Sequence, residues 1–305
     1  MTTTPTTKPD IDAAAQFIAA SGRVLDRRRF ERLFAGGSAS PVRDAVAAYR
    51  NTDGGFGQGL EPDGRSPASQ PAAIEQALHI LDEADAWDDD LVTGACDWLQ
   101  ANAPAAGGAV FVEPSVLGWP HAPWWVPQDG RPASLVSTGR IAGTLHARGI
   151  EHPWLEQATE LVWSRIDKLA DPGPYDLRGV LRFLDYVPDR GRAKRALDLV
   201  APMLLGVVTL DPQAPGETHS VLDFAPLPGS LARALFDEAV VRAHLDHLAA
   251  GQHDDGGWSF NFLAWSPAAE LEWRASITVS ALQTLRANQP GASQPGAQQP
   301  GARQP

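Results

Sequence analysis

Asp53-Gly54-Gly55-Phe56-Gly57, followed by Leu60-Glu61-Pro62-Asp63-Gly64-Arg65, is the stretch on which the reading of this chain turns. Near the other end it has an echo in Asp255-Gly256-Gly257-Trp258. Paired glycines suit a sharp corner, because a residue without a Cβ reaches left-handed backbone angles at little steric cost. Each corner lies between runs of helical periodicity, the later runs starting at Pro71 and Glu272. A recurring helix, Gly-Gly-aromatic corner, loop and helix predicts an array built from one supersecondary unit.

Outward from these corners, apolar residues return every three or four positions. The pattern predicts helices over 10–20, 24–34, 41–49, 71–83, 91–102, 134–148, 153–170, 175–186, 192–205, 227–236, 238–250 and 272–287. Leu155, Ala158, Val162, Ile166 and Leu169 mark the clearest of them, and Pro153 opens it as a first-turn proline would. Pro202 is expected to kink or break its helix. Gly139 and Gly143, four apart, allow another helix to approach closely. Asp88-Asp89-Asp90 resembles the metal-binding acids of diphosphate-ionising enzymes, but Val92 and Thr93 occupy the next turn, so the triplet reads as a helix N-cap.

No alternating strand pattern separates these helices. About a dozen helices in pairs form either an open solenoid or a closed ring. Apolar faces on both members of each pair, with many small residues on the second, favour closure: an all-α (α/α)6 toroid of six inner and six outer helices over 10–288. The long loops 103–132, 207–226 and 258–271 would then gather at the ends of the ring and shape a central cavity. Residues 1–9 are Thr/Pro-rich, and 289–305 repeat Gln-Pro-Gly-Ala. Neither holds apolar bulk to offset its ordering entropy, so both ends are expected to be disordered.

A net charge of −12 in 305 residues argues against nucleic acid and against an anionic membrane surface as partners. Lysine occurs only at positions 8, 168 and 194, so arginine carries most of the positive charge. The single cysteine, Cys96, cannot form an internal disulfide and reads as a small buried hydrophobe. No signal-peptide pattern and no apolar span long enough for a bilayer is evident, which makes a cytoplasmic protein the expectation. The ten tryptophans suit packing between helices or the wall of an apolar pocket.

Leu248, Gln252, Gly256 and Trp258 resemble the QW repeat of squalene and hopene cyclases, and Tyr49, Asp53, Gly55 and Phe56 form a weaker copy without the Gln. The first corner, with the run Pro71-Ala72-Ala73-Ile74-Glu75-Gln76-Ala77-Leu78, is also similar to repeats of protein prenyltransferase β subunits. Together with Ser69-Gln70-Pro71 and Pro123-Trp124-Trp125, it resembles an uncharacterised bacterial group related to these cyclases. The resemblance implies the toroid, with the Gln capping a neighbouring helix and the Trp stacked on the ring wall. It also implies terpenoid-cyclase or prenyltransferase-like chemistry. The chain departs from both patterns: it has neither the Asp-any-Asp-Asp tetrad of protonating cyclases nor an Asp-any-Cys zinc pattern. No metal or cofactor is expected.

Glu61 and Asp63, two residues apart beside Arg65, are the first candidates for a general acid whose pKa is raised by a low-dielectric cavity. The alternative is a loop knot in which Arg65 bridges both carboxylates. Asp223 is a further candidate acid or a helix cap. Trp124 and Trp125, after His121, could roof the cavity or face a cationic intermediate. Trp258, Trp265, Trp273 and Arg274 complete the candidate substrate contacts. These residues point to an enzyme that protonates an isoprenoid or other apolar small molecule in a Trp-lined cavity, with peripheral membrane contact for substrate access and no obligate protein partner. A glycan-active enzyme, or a non-catalytic toroid that binds a lipid or a partner, would use the same residue types.

Overall fold

The structure, a computed structural model, describes residues 8–291. The expectations for residues 1–7 and 292–305 lie outside the described residues. Twelve α-helices alternate between two layers, and no strand occurs among the described residues. The outer layer consists of α1 (Ile11–Ser21), α3 (Ser40–Ala47), α5 (Asp89–Ala101), α7 (Pro153–Ile166), α9 (Arg190–Val207) and α11 (Glu238–Ala250). The inner layer consists of α2 (Val24–Phe34), α4 (Pro71–Glu83), α6 (Leu135–Ala147), α8 (Pro174–Tyr186), α10 (Val221–Phe224) and α12 (Pro267–Ala287). α4 packs on α6, α6 on α8 and α8 on α10, while α12 returns to α1 and α2 and closes the ring.

Short polar residues and prolines set the helix starts. Side chains of Asp10, Asp88, Ser134, Asp189 and Ser266 each accept a bond from a first-turn N–H of their helix, and prolines fill the first turns of α4, α7, α8 and α12. Asp88 is therefore the cap that its position suggests.

Two boundaries differ from the sequence expectation, while Pro202 lies inside α9, which continues past it. It sits on the exposed face, so the carbonyl deprived of its partner is open to water. The run 227–236 yields only a single 3-10 turn (Leu231–Leu235), and α10 is a four-residue helix before it. Pro226 and Pro228 remove donors and push their preceding residues out of the helical region. α12 begins at Pro267 rather than Glu272, because Ser266 caps it and Pro267 takes the first position.

The glycine corners explain the repeat. Gly54 and Gly256 have φ of +89° and +90°. A Cβ on Gly54 would lie 2.8 Å from the Gly94 carbonyl on α5, and one on Gly256 would lie 2.1 Å from the Ala13 carbonyl on α1. Each corner thus presses its backbone onto the next outer helix. In both, the Asp accepts a bond of 3.0 Å from the N–H of the second glycine, Asp53 from Gly55 and Asp255 from Gly257, and the aromatic, Phe56 or Trp258, is buried. Arg50 occupies in the first corner the place of Gln252 in the last. It reaches Asp90 at the start of α5, as Gln252 reaches Asp10 at the start of α1.

α6 and α8 are the most closely packed inner pair. A Cβ on Gly139 would be 2.5 Å from the Gly179 carbonyl, and one on Gly143 would be 2.4 Å from the Arg182 carbonyl. Buried Arg29 joins three inner helices: it pairs with Asp26 on α2 and Glu83 on α4, and bonds Ser276 on α12.

Candidate functional site

A cavity of about 2850 Å³ is lined by α4, α6, α8, α10 and α12 and the loops between them. It exceeds the roughly 300–1,000 Å³ usual for a small-molecule pocket. Its upper wall is aromatic: Trp124, Trp125, Phe260, Phe262 and Trp273 line it. Phe260 and Phe262 stack at 4.2 Å, and Phe262 meets Trp273 edge to face.

Asp63 is held at this aromatic end. Its Oδ1 accepts the Trp273 indole N–H at 2.8 Å, and its Oδ2 accepts that of Trp124 at 2.9 Å. The loop that supplies Trp124 is fixed by backbone bonds from Ala122 N–H to the Asp63 carbonyl and from Arg65 N–H to the Pro120 carbonyl. Trp125 packs over Gly64, where a Cβ would come within 2.4 Å of the indole ring. Glycine is needed there for close approach. Burial raises the Asp63 pKa, while the bonds from Trp273 and Trp124 and the charge of Arg65 oppose the rise.

Glu61 also lines the cavity and accepts the Asp63 backbone N–H at 2.7 Å. Burial, then the Asp63 charge, hold its carboxyl well above the usual range. Glu61 and Asp63 thus present to one cavity two carboxyls that burial makes harder to ionise.

The remaining candidates separate into lining and supporting positions. Asp223 lines the cavity on the opposite side. It accepts the Ser220 backbone N–H at 2.7 Å as part of a capping box and meets Arg178 at 3.3 Å. Arg65 is outside the lining: it pairs with Glu272 at 2.8 Å and lies over the Trp265 ring, and does not bridge Glu61 and Asp63. Trp265 donates to the Pro62 carbonyl at 3.1 Å and so supports the acid loop from behind. His121 bonds the Trp119 carbonyl. Arg274 pairs with Asp255 at 2.8 Å and covers Phe17, which makes it part of the last corner. Trp258 is buried, with its indole N–H on the Leu248 carbonyl, and borders the cavity. Glu272, expected at a helix start, sits in the second turn of α12 and serves as the partner of Arg65.

Below the aromatic end the wall is charged. α4 contributes Glu75, His79 and Asp82, α6 contributes Arg140 and Thr144, and α8 contributes Arg178, Arg182 and Asp185. Burial pushes the Asp185 carboxyl up to about 6 and the His79 imidazole down to about 4. The Trp lining inferred from composition is thus concentrated at one end, with Trp87 beyond the C-terminal end of α4 as a further lining tryptophan. The signal for the other end was present as polar residues spaced i, i+4, i+7 at 75, 79 and 82 and at 178, 182 and 185. Among the described residues, no group of three or more His, Cys, Asp or Glu is gathered as a metal site. No helix there is long and apolar enough to cross a membrane.

The sequence matches no protein-family model and no curated protein. Solved structures resemble the fold. A protein from Actinoplanes is 16% identical with a TM-score of 0.53, over 91% of this chain and 89% of that one. The type II terpene cyclase MstE from Scytonema, without ligand, is 11% identical with a TM-score of 0.56, over 90% of this chain and 96% of that one. A variant of MstE in complex with its substrate, geranylgeranyl dihydroxybenzoate, is 10% identical with a TM-score of 0.57, over the same shares. At such identities the likeness concerns architecture, and the conclusion it supports is that this chain is an all-α toroid with a terpenoid-cyclase-like fold.

Proposed function

We propose that the protein is a terpenoid-cyclase-like enzyme that protonates a carbon–carbon double bond of an isoprenoid-bearing substrate, with Asp63 as the acid. The observation that carries this reading is the Asp63 carboxyl fixed between two indole N–H groups at the aromatic end of the cavity. Burial favours the protonated form of Asp63, against the bonds from Trp273 and Trp124 that favour the carboxylate. As the O–H bond breaks and a C–H bond forms, the developing carboxylate meets donors already in place. The carbocation left on the substrate meets the ring faces available in the aromatic wall. Glu61, bonded to the Asp63 backbone and itself hard to ionise, would hold the loop and resupply the proton.

A fold shared with MstE, a variant of which is solved with geranylgeranyl dihydroxybenzoate, supports this choice of substrate class. Exposed Leu117, Trp119, Val126 and Leu263 stand on the loops that carry the aromatic wall or flank it, and would provide the apolar membrane contact for substrate access. A second reading, an enzyme of polar substrates such as glycans, is favoured by the charged wall on α4, α6 and α8. Mass spectrometry of products and of co-purified ligand tests both. Geranylgeranyl-bearing phenols should be isomerised to cyclic products by the wild type and not by Asp63→Asn. An unaltered product yield with Asp63→Asn removes the assignment, and a co-purified sugar favours the second reading. A tightly held lipid that neither protein alters would indicate a binding toroid.

A further inference from the structure

We infer that Arg140, Arg178 and Arg182 form a subsite for an oxyanion, a carboxylate or phosphate head group, on the charged cavity wall made by α6 and α8. The inference rests on the cavity being the substrate site and adds the chemistry of the substrate's other end. The three guanidiniums come together because glycine lets their helices touch: Gly139 precedes Arg140, Gly179 follows Arg178, and the Gly143 position abuts the Arg182 carbonyl. All three line the cavity. Their side chains keep 36%, 29% and 25% of their surface exposed there.

The protein leaves these groups short of acceptors. Each guanidinium carries five N–H donors. Arg140 meets one carboxylate, Glu75, at 2.8 Å, and Arg178 meets one, Asp223, at 3.3 Å. Arg182 shares Asp82 with Arg148, taking one oxygen at 3.0 Å, and adds Thr144. The Arg178 and Arg182 guanidiniums lie over the rings of Tyr175 and Tyr186, at 5.5 and 4.4 Å. Stacking fixes their planes and leaves the N–H edges free for a forked bond to an oxyanion. Burial and the neighbouring charges of Arg178 and Arg182 depress the Arg140 pKa despite Glu75, so the positive charges crowd one another. An anion would relieve that crowding.

The geometry gives the substrate a polarity. Asp63 is tied to α12 and precedes α4, whereas α8 lies on the far side of the ring, between α6 and α10. An elongated molecule would rest its apolar end against the aromatic wall and its anionic end against Arg178 and Arg182 on α8.

Isothermal titration of the wild type, Arg178→Gln and Arg178→Lys with four probes tests this. The probes are a geranylgeranyl-substituted benzoic acid, its methyl ester, and tail-free benzoate and inorganic diphosphate. The acid should bind the wild type about tenfold or more tightly than the ester. Arg178→Gln should erase that preference, and Arg178→Lys should keep part of it, with unchanged melting temperatures showing that both variants fold. Whichever tail-free anion binds in an Arg178-dependent way identifies carboxylate or phosphate as the head. Equal binding of acid and ester overturns the subsite and leaves the isoprenoid reading standing. Binding of a tail-free anion without binding of either geranylgeranyl compound upholds the subsite and overturns that reading. Failure of all four probes to bind overturns both.

Discussion

Gln252 and Asp10 hold each other by two hydrogen bonds of 2.7 Å, across 242 residues of sequence. The Gln252 carbonyl oxygen accepts the Asp10 backbone N–H, and its amide donates to the Asp10 carbonyl and to that of Gly256. One side chain thereby ties the last corner to the first helix and seals the ring. Gln252→Ala should cost about 1–2 kcal/mol and accelerate amide hydrogen exchange in α1 before other helices. Unchanged exchange in α1 would show that packing alone closes the ring.

Arg29 has no exposed surface and neutralises Asp26 and Glu83 inside the wall. Removing it strands buried Glu83 and leaves Asp26 with Arg23 as its one ion-pair partner. Arg29→Ala should therefore destabilise the protein by about 3–5 kcal/mol, as read from urea unfolding. A loss under about 1 kcal/mol would mean that water reaches the pair.

The Gly139 position touches the Gly179 backbone. Gly139→Ala forces backbone apart rather than a flexible side chain, so it should cost about 1–3 kcal/mol despite the better helix propensity of alanine. Thermal melts of Gly139→Ala beside Gly206→Ala, whose added methyl would meet nothing within 4 Å, separate the steric effect from propensity. Equal melting temperatures would contradict the close contact.

Glu61 gives a pH dependence with a definite sign. Its folded pKa lies well above its ordinary value because of burial and the Asp63 charge. Its stabilising contribution is therefore complete at low pH and is lost as pH rises through the folded pKa. Glu61→Gln cannot ionise and keeps an oxygen for the Asp63 N–H. Relative to wild type it should melt higher at pH 8, by on the order of a few degrees, with the gap closing toward pH 4. Parallel stability curves for the two proteins would refute the shift.

Trp273 tunes the proposed acid. Asp63→Asn should lower turnover by about 10²–10⁴-fold. Trp273→Phe removes a donor that opposes the raised Asp63 pKa, so the alkaline limb of the pH–rate profile should move to higher pH. It should also lower the rate by about tenfold or more, because the developing carboxylate loses a partner. A rate loss with an unmoved limb would make Trp273 a packing residue.

The fold was largely legible because its signals are local. Gly-Gly-aromatic corners need left-handed glycines, helix starts need Asp, Ser or Pro, and the apolar period marks each buried face. Those requirements sit within a few residues of one another. Where reading failed, as at 227–236, helical periodicity competed with the placement of Pro226 and Pro228.

The candidate site was legible only in part. Sequence alone determined that Glu61 and Asp63 share a loop ahead of an inner helix, since two residues cannot separate far. It could not bring Trp124 and Trp273, 61 and 210 residues from Asp63, onto the two oxygens of one carboxyl. Nor could it show that Arg65 and Arg274 turn to partners outside the cavity lining, or that Arg140, Arg178 and Arg182 face the cavity from adjoining helices. Those outcomes depend on ring closure and on the backbone contact between α6 and α8. Both are long-range packing events that bring distant side chains together, whatever their separation along the chain.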